Sequence, residues 1–142
     1  MSLSPAQVDQ LVNTHFMFEA TDDVEGVVGS LAPEVEHHVV PSPYGVVREK
    51  GRIREFYATM FRDLKGESVT PVRRLYGDGF AVDEAIWNGR IEDGRLFGCA
   101  GKSGHVSFRL LHVFEFAGEK ISRENVWCDL SAIQQQLGAT VS

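Results

Sequence analysis

The dominant hydrophobic period of this chain changes at Gly66, and that change restricts the folds open to it. Before Gly66 most apolar residues recur at helical spacing; after it they mostly alternate as in strands. Helices first and an antiparallel meander afterwards is an α+β arrangement, with the helices segregated to one face of the sheet.

The helical half contains three segments. In "SPAQVDQLVNTHFMFEA", Ser4 is placed to cap the helix, Pro5 takes its first position and Gln7 completes a capping box. Its apolar stripe is Val8, Leu11, Val12 and Phe16, interrupted by His15 and Glu19. In "TDDVEGVVGSLAP", Asp22 with Glu25 forms a capping-type pair and Pro33 is the expected stop. "EVEHHVVP" reads as a strand with Val35, His37 and Val39 on one side. The third helix, "GRIREFYATMFRDLKG", sets Ile53, Phe56, Tyr57, Met60, Phe61 and Leu64 on one face, with Gly66 as its stop.

Turn signals "YGDG", "EDG" and "AGEK" divide the rest into strands near 67–76, 80–91, 95–98, 105–117 and 120–129. A short last helix follows, in which Ser131 and Gln134 form an S-x-x-Q box and Gly138 is the stop. No linker or repeat divides the chain, so residues 1–142 read as a single domain.

Several function classes are excluded by what the sequence lacks. Net charge is −6 and the Lys and Arg residues are scattered, which argues against nucleic acid and anionic membrane surfaces as partners. No apolar run approaches a bilayer span and the N-terminus lacks a signal-peptide pattern, so the expected location is cytoplasmic. "GCAGKSG" resembles a phosphate loop, but Leu96 stands where the P-loop needs its first glycine. Adjacent His37 and His38 point to opposite faces of a strand, and the histidines, carboxylates and two cysteines show no metal-ligand spacing; no metal and no cofactor are expected.

The strand faces select the candidate residues. On 105–117, His112 is the one polar group on a face of Val106, Phe108, Leu110, Phe114 and Phe116. It is either a core histidine bonded to a carbonyl or a pocket residue. His15 at the helix stripe, His37 on the first strand and the Tyr57 hydroxyl admit the same two readings. On 80–91, Asp83, Ala85 and Trp87 lie opposite Glu84. On the last strand Arg123, Asn125, Trp127 and Asp129 face one way, and Glu124, Val126, Cys128 and Leu130 the other. Asp129 is either the cap of the final helix or, if the Ser131 box serves instead, a free pocket carboxylate.

The stretches "LAPEVEHHVVPSP", "YGDGFAVDEAIWNGRIEDG", "SFRLLHVFEF" and "ENVWCDLSAIQQQLG" resemble the SnoaL-like polyketide cyclases of the nuclear transport factor 2-like superfamily, over essentially the whole chain. The resemblance implies a cone, a curved mostly antiparallel sheet wrapped around the long helices with an apolar pocket at its open end. It also implies a homodimer packed through the outer sheet face, and an aspartate acting as general acid/base in an aldol closure without metal or cofactor. Limonene epoxide hydrolases, which are similar, place the aspartate of a W-x-D motif in the pocket, and Trp127 and Asp129 match that spacing. They also carry an Arg-x-Asp pair that "DEAIWNG" lacks, and Val40 stands where ketosteroid isomerases carry their acidic base before Pro41.

The resulting expectation is an enzyme for a small, apolar, polyketide-like carbonyl compound. Asp129 removes the proton alpha to the carbonyl, and His112, His37 or Tyr57 donates to the enolate. Trp87 and Trp127 supply flat walls, and His15 and Asn125 complete the binding set. The alternatives are a non-catalytic module that binds a small ligand in the same pocket, or a dimerisation domain.

Overall fold

The computed structural model describes residues 2–41 and 44–138. Ser4 and Gln7 make the expected capping box, with Ser4 N–H donating to Gln7 Oε1 at 2.8 Å and Gln7 N–H to Ser4 Oγ at 3.2 Å. Helix α1, Pro5–Ala20, follows and buries Val8, Val12 and His15. Helix α2 is shorter than expected, Val24–Gly29, and Asp23 rather than Asp22 caps it by accepting from Gly26 N–H at 2.9 Å. Asp22 instead takes left-handed backbone, φ 56°, which aspartate tolerates better than most residues.

Pro33 does not stop that helix; it lies inside strand β1, Leu31–Val40. β1 is an edge of the sheet and its register shifts between Leu31 and Glu36, a place where a residue without N–H is tolerated. Helix α3, Lys50–Asp63, buries Ile53, Tyr57 and Phe61 as its period predicts, but ends before Gly66. Leu64 is already extended and pairs with Ile91, so strand β2, Leu64–Gly77, begins at once. Gly66 serves the strand instead of the helix. With its register partner Gly89 it leaves room for the Trp87 indole, which a Cβ would approach to 3.2 Å from Gly66 and 2.8 Å from Gly89.

Strands β3, Phe80–Ile91, β4, Gly104–Ala117, and β5, Lys120–Cys128, complete the sheet, and helix α4, Leu130–Gln136, ends the described chain. The strand expected at 95–98 is a 3-10 turn, Arg95–Phe97, closed by Gly98 at φ 71°. The order is β1-β5-β4-β3-β2, parallel between β1 and β5 and antiparallel elsewhere. α1, α2 and α3 pack Val12, Val27, Ile53 and Tyr57 against Ala81, Phe114 and Ile121 of the sheet. Ile133 and Leu137 of α4 close a second cluster with Val106 and Phe108. Among the described residues no helix is long and apolar enough to cross a membrane.

Candidate functional site

Between the helices and the inner face of the sheet lies a cavity of about 690 Å³. Its walls are aromatic: Trp87 packs on Phe108 with ring centroids 5.3 Å apart, and Phe16, Phe56 and Phe97 complete them. Val126 and Cys128 line it, so the inner face of β5 is the one that carries Glu124. The two faces read from alternation are the observed ones, and the inner face is that of Glu124, opposite to the one that carries Trp127 and Asp129.

Asp129 is exposed and does not line the cavity. It caps α4 by accepting from Ala132 N–H at 3.1 Å, displacing the expected Ser131 box. Trp127 is exposed on the same outward face, and Asn125, although buried, accepts from Arg123 Nε there. The pairing of Trp127 and Asp129 is therefore an outward pairing, because alternation turns both away from Val126 and Cys128. Asp129→Ala should lower stability by about 1 kcal/mol through the lost cap. Ligand binding in the cavity should not change, as denaturation and titration of the same variant would show; a lost binding signal would return Asp129 to the site.

The inward residue of this strand that the sequence reading left without a role is Glu124. It is fully buried, and four side chains surround it. His15 Nε2 lies 2.9 Å from Oε2, and the Tyr57 hydroxyl donates to Oε1 at 3.0 Å. His37 Nε2 is 3.0 Å from the Tyr57 hydroxyl and 3.7 Å from Glu124 Oε1. His112 Nε2 is 3.7 Å from Oε2. Three strands and two helices create this cluster: His37 is the direct parallel partner of Glu124, and His112 lies two residues from Phe114, the partner of Glu124 on β4, on the same face.

Proton directions follow from the partners. Ser30 Oγ gives its hydrogen to Val27 C=O at 2.6 Å, so it accepts from His15 Nδ1–H at 2.8 Å. The other His15 nitrogen then faces Glu124 and, at 3.6 Å, Glu19. Burial works against a charge on His15, but the two carboxylates outweigh it and raise its pKa to about 10. Burial likewise disfavours the Glu124 anion, yet the His15 imidazolium holds it well below the usual carboxylate range. Glu124 and His15 form a buried ion pair at neutral pH.

The Tyr57 hydroxyl donates to Glu124, so it accepts from His37 Nε2–H. Burial pushes His37 below its ordinary value, against the attraction of Glu124, and pushes Tyr57 well above its own, an effect that Glu124 strengthens. His112 lines the cavity, stacked on Phe114 with centroids 5.3 Å apart, and its buried Nδ1 has no hydrogen-bond partner among the described residues. In the neutral ring the Glu124 carboxylate favours the proton on Nε2, which leaves the Nδ1 lone pair unused.

Of the expected site residues, His37, Tyr57, Trp87 and His112 line the cavity, whereas His15 does not line it and is held between Glu124 and Ser30. Glu124 was detectable in principle: it is a carboxylate alternating with Val126 and Cys128 on an apolar face, the same signal that singled out His112. Among the described residues His15, Glu19 and Glu124 could also hold a metal ion, with one donor atom each within 4.8 Å of the others. The short His15–Glu124 contact accounts for two of the three donors without one.

With this geometry in view, the chain can be placed among known proteins. The family described as SnoaL-like polyketide cyclase matches residues 7–137. No curated protein matches the chain. TsrD from Streptomyces laurentii superposes with a TM-score of 0.80 at 23% identity, covering 97% of this chain and 99% of that one. A SnoaL-like polyketide cyclase candidate from Jannaschia sp. CCS1 gives 0.81 at 17% identity, covering 99% of each chain. An LEH-like epoxide hydrolase from M. tuberculosis gives 0.70 at 15%, covering 93% of this chain and 90% of that one. Such identities establish the shared nuclear transport factor 2-like fold and nothing about the reaction. The family match spans nearly all of the sequence, and the chain belongs to the SnoaL-like polyketide cyclase family.

Proposed function

We propose that the protein is a cofactor-independent acid–base enzyme acting on a small, mostly apolar carbonyl compound of the polyketide-like kind, with His112 as its base. The observation that carries this reading is the His112 side chain. It is 6% exposed, lines an aromatic cavity, has a carboxylate behind Nε2 and leaves Nδ1 without a hydrogen-bond partner among the described residues. A buried ring nitrogen without a hydrogen bond is unfavourable in a resting core and is satisfied once a ligand proton approaches it.

In the proposed step the Cα–H bond of the carbonyl compound breaks, its proton goes to His112 Nδ1, and the electron pair passes to the carbonyl oxygen as an enolate. Glu124 stabilises the imidazolium so formed, through the Nε2 side. Tyr57 is positioned to turn its hydroxyl from Glu124 to the enolate oxygen, with His37 donating to that hydroxyl from behind. The enolate carbon then adds to a second carbonyl, whose new alkoxide takes the proton back from His112, or His112 returns the proton to another carbon of the delocalised anion. The aspartate base expected from the resemblance is replaced here by a histidine backed by a glutamate. Glu124 and His15 act through His112 and Tyr57, so they are positioning residues.

Exchange of α-hydrogens for solvent deuterium reads this step without knowing the natural substrate. Wild-type protein should accelerate exchange in cyclic β-dicarbonyl and ketone probes, followed by proton NMR. His112→Asn should lower that rate by about 10²-fold or more, as general bases usually contribute. Undiminished exchange in His112→Asn removes the proposed base.

A further inference from the structure

The proposed reaction concerns one end of the cavity; the charges distributed along the rest bear on what can enter it. The lining carries four carboxylates, those of Glu19, Asp22, Glu67 and Asp83, and one guanidinium, that of Arg74. Arg74 is already committed, with Nε 2.8 Å from Asp83 and Nη1 2.8 Å from Asp9. Those three groups sum to one negative charge. At the inner end, His15 spends its Nε2–H on Glu124 at 2.9 Å, which leaves Glu19, 3.6 Å away, the surplus carboxylate. Asp22 and Glu67 are exposed at the rim. Each stretch of the cavity is therefore net negative, and each is walled by aromatic faces, which themselves attract cations.

We propose that the ligand of this cavity carries a cationic nitrogen, a protonated amine or its alkylated equivalent, seated against Glu19 with Phe16 beside it. This rests on the cavity's being the functional site. Glu19 lines the cavity and its side chain is 20% exposed, so it is largely withdrawn from solvent while remaining within reach of a ligand. Phe16, one turn before it on α1, touches the ring of His112 with centroids 5.0 Å apart. A cation at Glu19 thus lies at the same end of the cavity as His112. Its charge compensates the developing enolate, which the negative lining otherwise opposes. A carboxylate-bearing ligand would meet repulsion from the rim to the inner end.

Three probes on one skeleton test this: 2-naphthylmethylammonium, 2-naphthalenemethanol and 2-naphthoate. The chain's two tryptophans allow a clean readout, since Trp127→Phe removes the exposed one and leaves Trp87 in the cavity wall to report by fluorescence quenching. The ammonium probe should bind about tenfold tighter than the alcohol, with naphthoate weaker than both, and salt should narrow the spread. Glu19→Gln should erase most of the ammonium preference and leave the alcohol's affinity within about twofold. Asp22→Asn, a change its left-handed backbone accepts, should weaken ammonium binding by about two- to threefold and provides the decision if Glu19→Gln does not fold.

Naphthoate binding as tightly as the ammonium overturns the inference, as does an ammonium preference that both variants leave intact. Alcohol binding equal to that of the ammonium also overturns it, while the deuterium-exchange experiment still decides the proton-abstraction reading. If none of the three binds at millimolar concentration, the cavity reading falls with it.

Discussion

His15→Leu should destabilise the protein by about 3–5 kcal/mol, because it strands the Glu124 carboxylate in a fully buried position. Glu124→Met should do comparable damage, leaving an imidazolium with Glu19 as its remaining anion and the Tyr57 hydroxyl without its acceptor. A domain of this size is stable by about 5–15 kcal/mol, so either change removes a large part of the total. The double variant is the informative one. Two apolar side chains of similar volume replace the ion pair, and buried pairs so replaced often lose little or gain stability. Denaturant unfolding should show most of the loss recovered, while α-hydrogen exchange stays abolished because nothing then supports His112 and Tyr57. Single variants within about 1 kcal/mol of wild type would mean that no buried charge pair exists. The contrast between recovered folding and lost exchange separates a site retained for chemistry from one retained for stability.

The parts of this architecture that rest on periodicity were legible in the sequence. α1 with its capping box, the stripe of α3 and the alternation of β3, β4 and β5 all depend on neighbours in the chain, and local chemistry determines them. The errors lie where distant pairing decides. Gly66 has the chemistry of a helix stop, but Leu64 finds Ile91 across the sheet, and the glycine's task becomes leaving space for Trp87. Pro33 is a helix breaker by itself and an edge-strand residue once β1 is known to lie at the edge. Asp129 failed for a related reason. Alternation separates two faces without saying which is inside, and the W-x-D spacing suggested the wrong one. Burial of the alternate set, Glu124, Val126 and Cys128, decides the matter, and only the sheet order supplies it. His112, His37 and Tyr57 were visible as polar groups on apolar faces; that they converge on one carboxylate was not, since they come from three elements far apart in sequence.

The pH dependence of stability should follow the same ion pair. His15 has a folded pKa of about 10 against an ordinary 6.5, a raised value, so its contribution is complete below pH 6.5 and is lost as pH rises through 10. Glu124 is depressed, so its contribution is present above its ordinary 4.5 and fades as pH falls below that. His37 is also depressed, and the stability gained by keeping it neutral declines as pH drops below 6.5. Stability should therefore peak near pH 6.5 and fall on both sides. The alkaline flank is the diagnostic one. Cys128, raised to about 11 by burial and by Asp129, begins to contribute only above its ordinary 9. Between pH 7 and 8.5 the slope should therefore be that of one proton, about 1.4 kcal/mol per pH unit, in urea unfolding at fixed ionic strength. His15→Gln should flatten that interval while leaving the Cys128 contribution above pH 9. A wild-type curve already flat from pH 7 to 8.5 would mean a neutral His15. His15 would then keep its single proton on Nδ1 for Ser30, and Glu124 would be a protonated carboxyl donating to the bare Nε2.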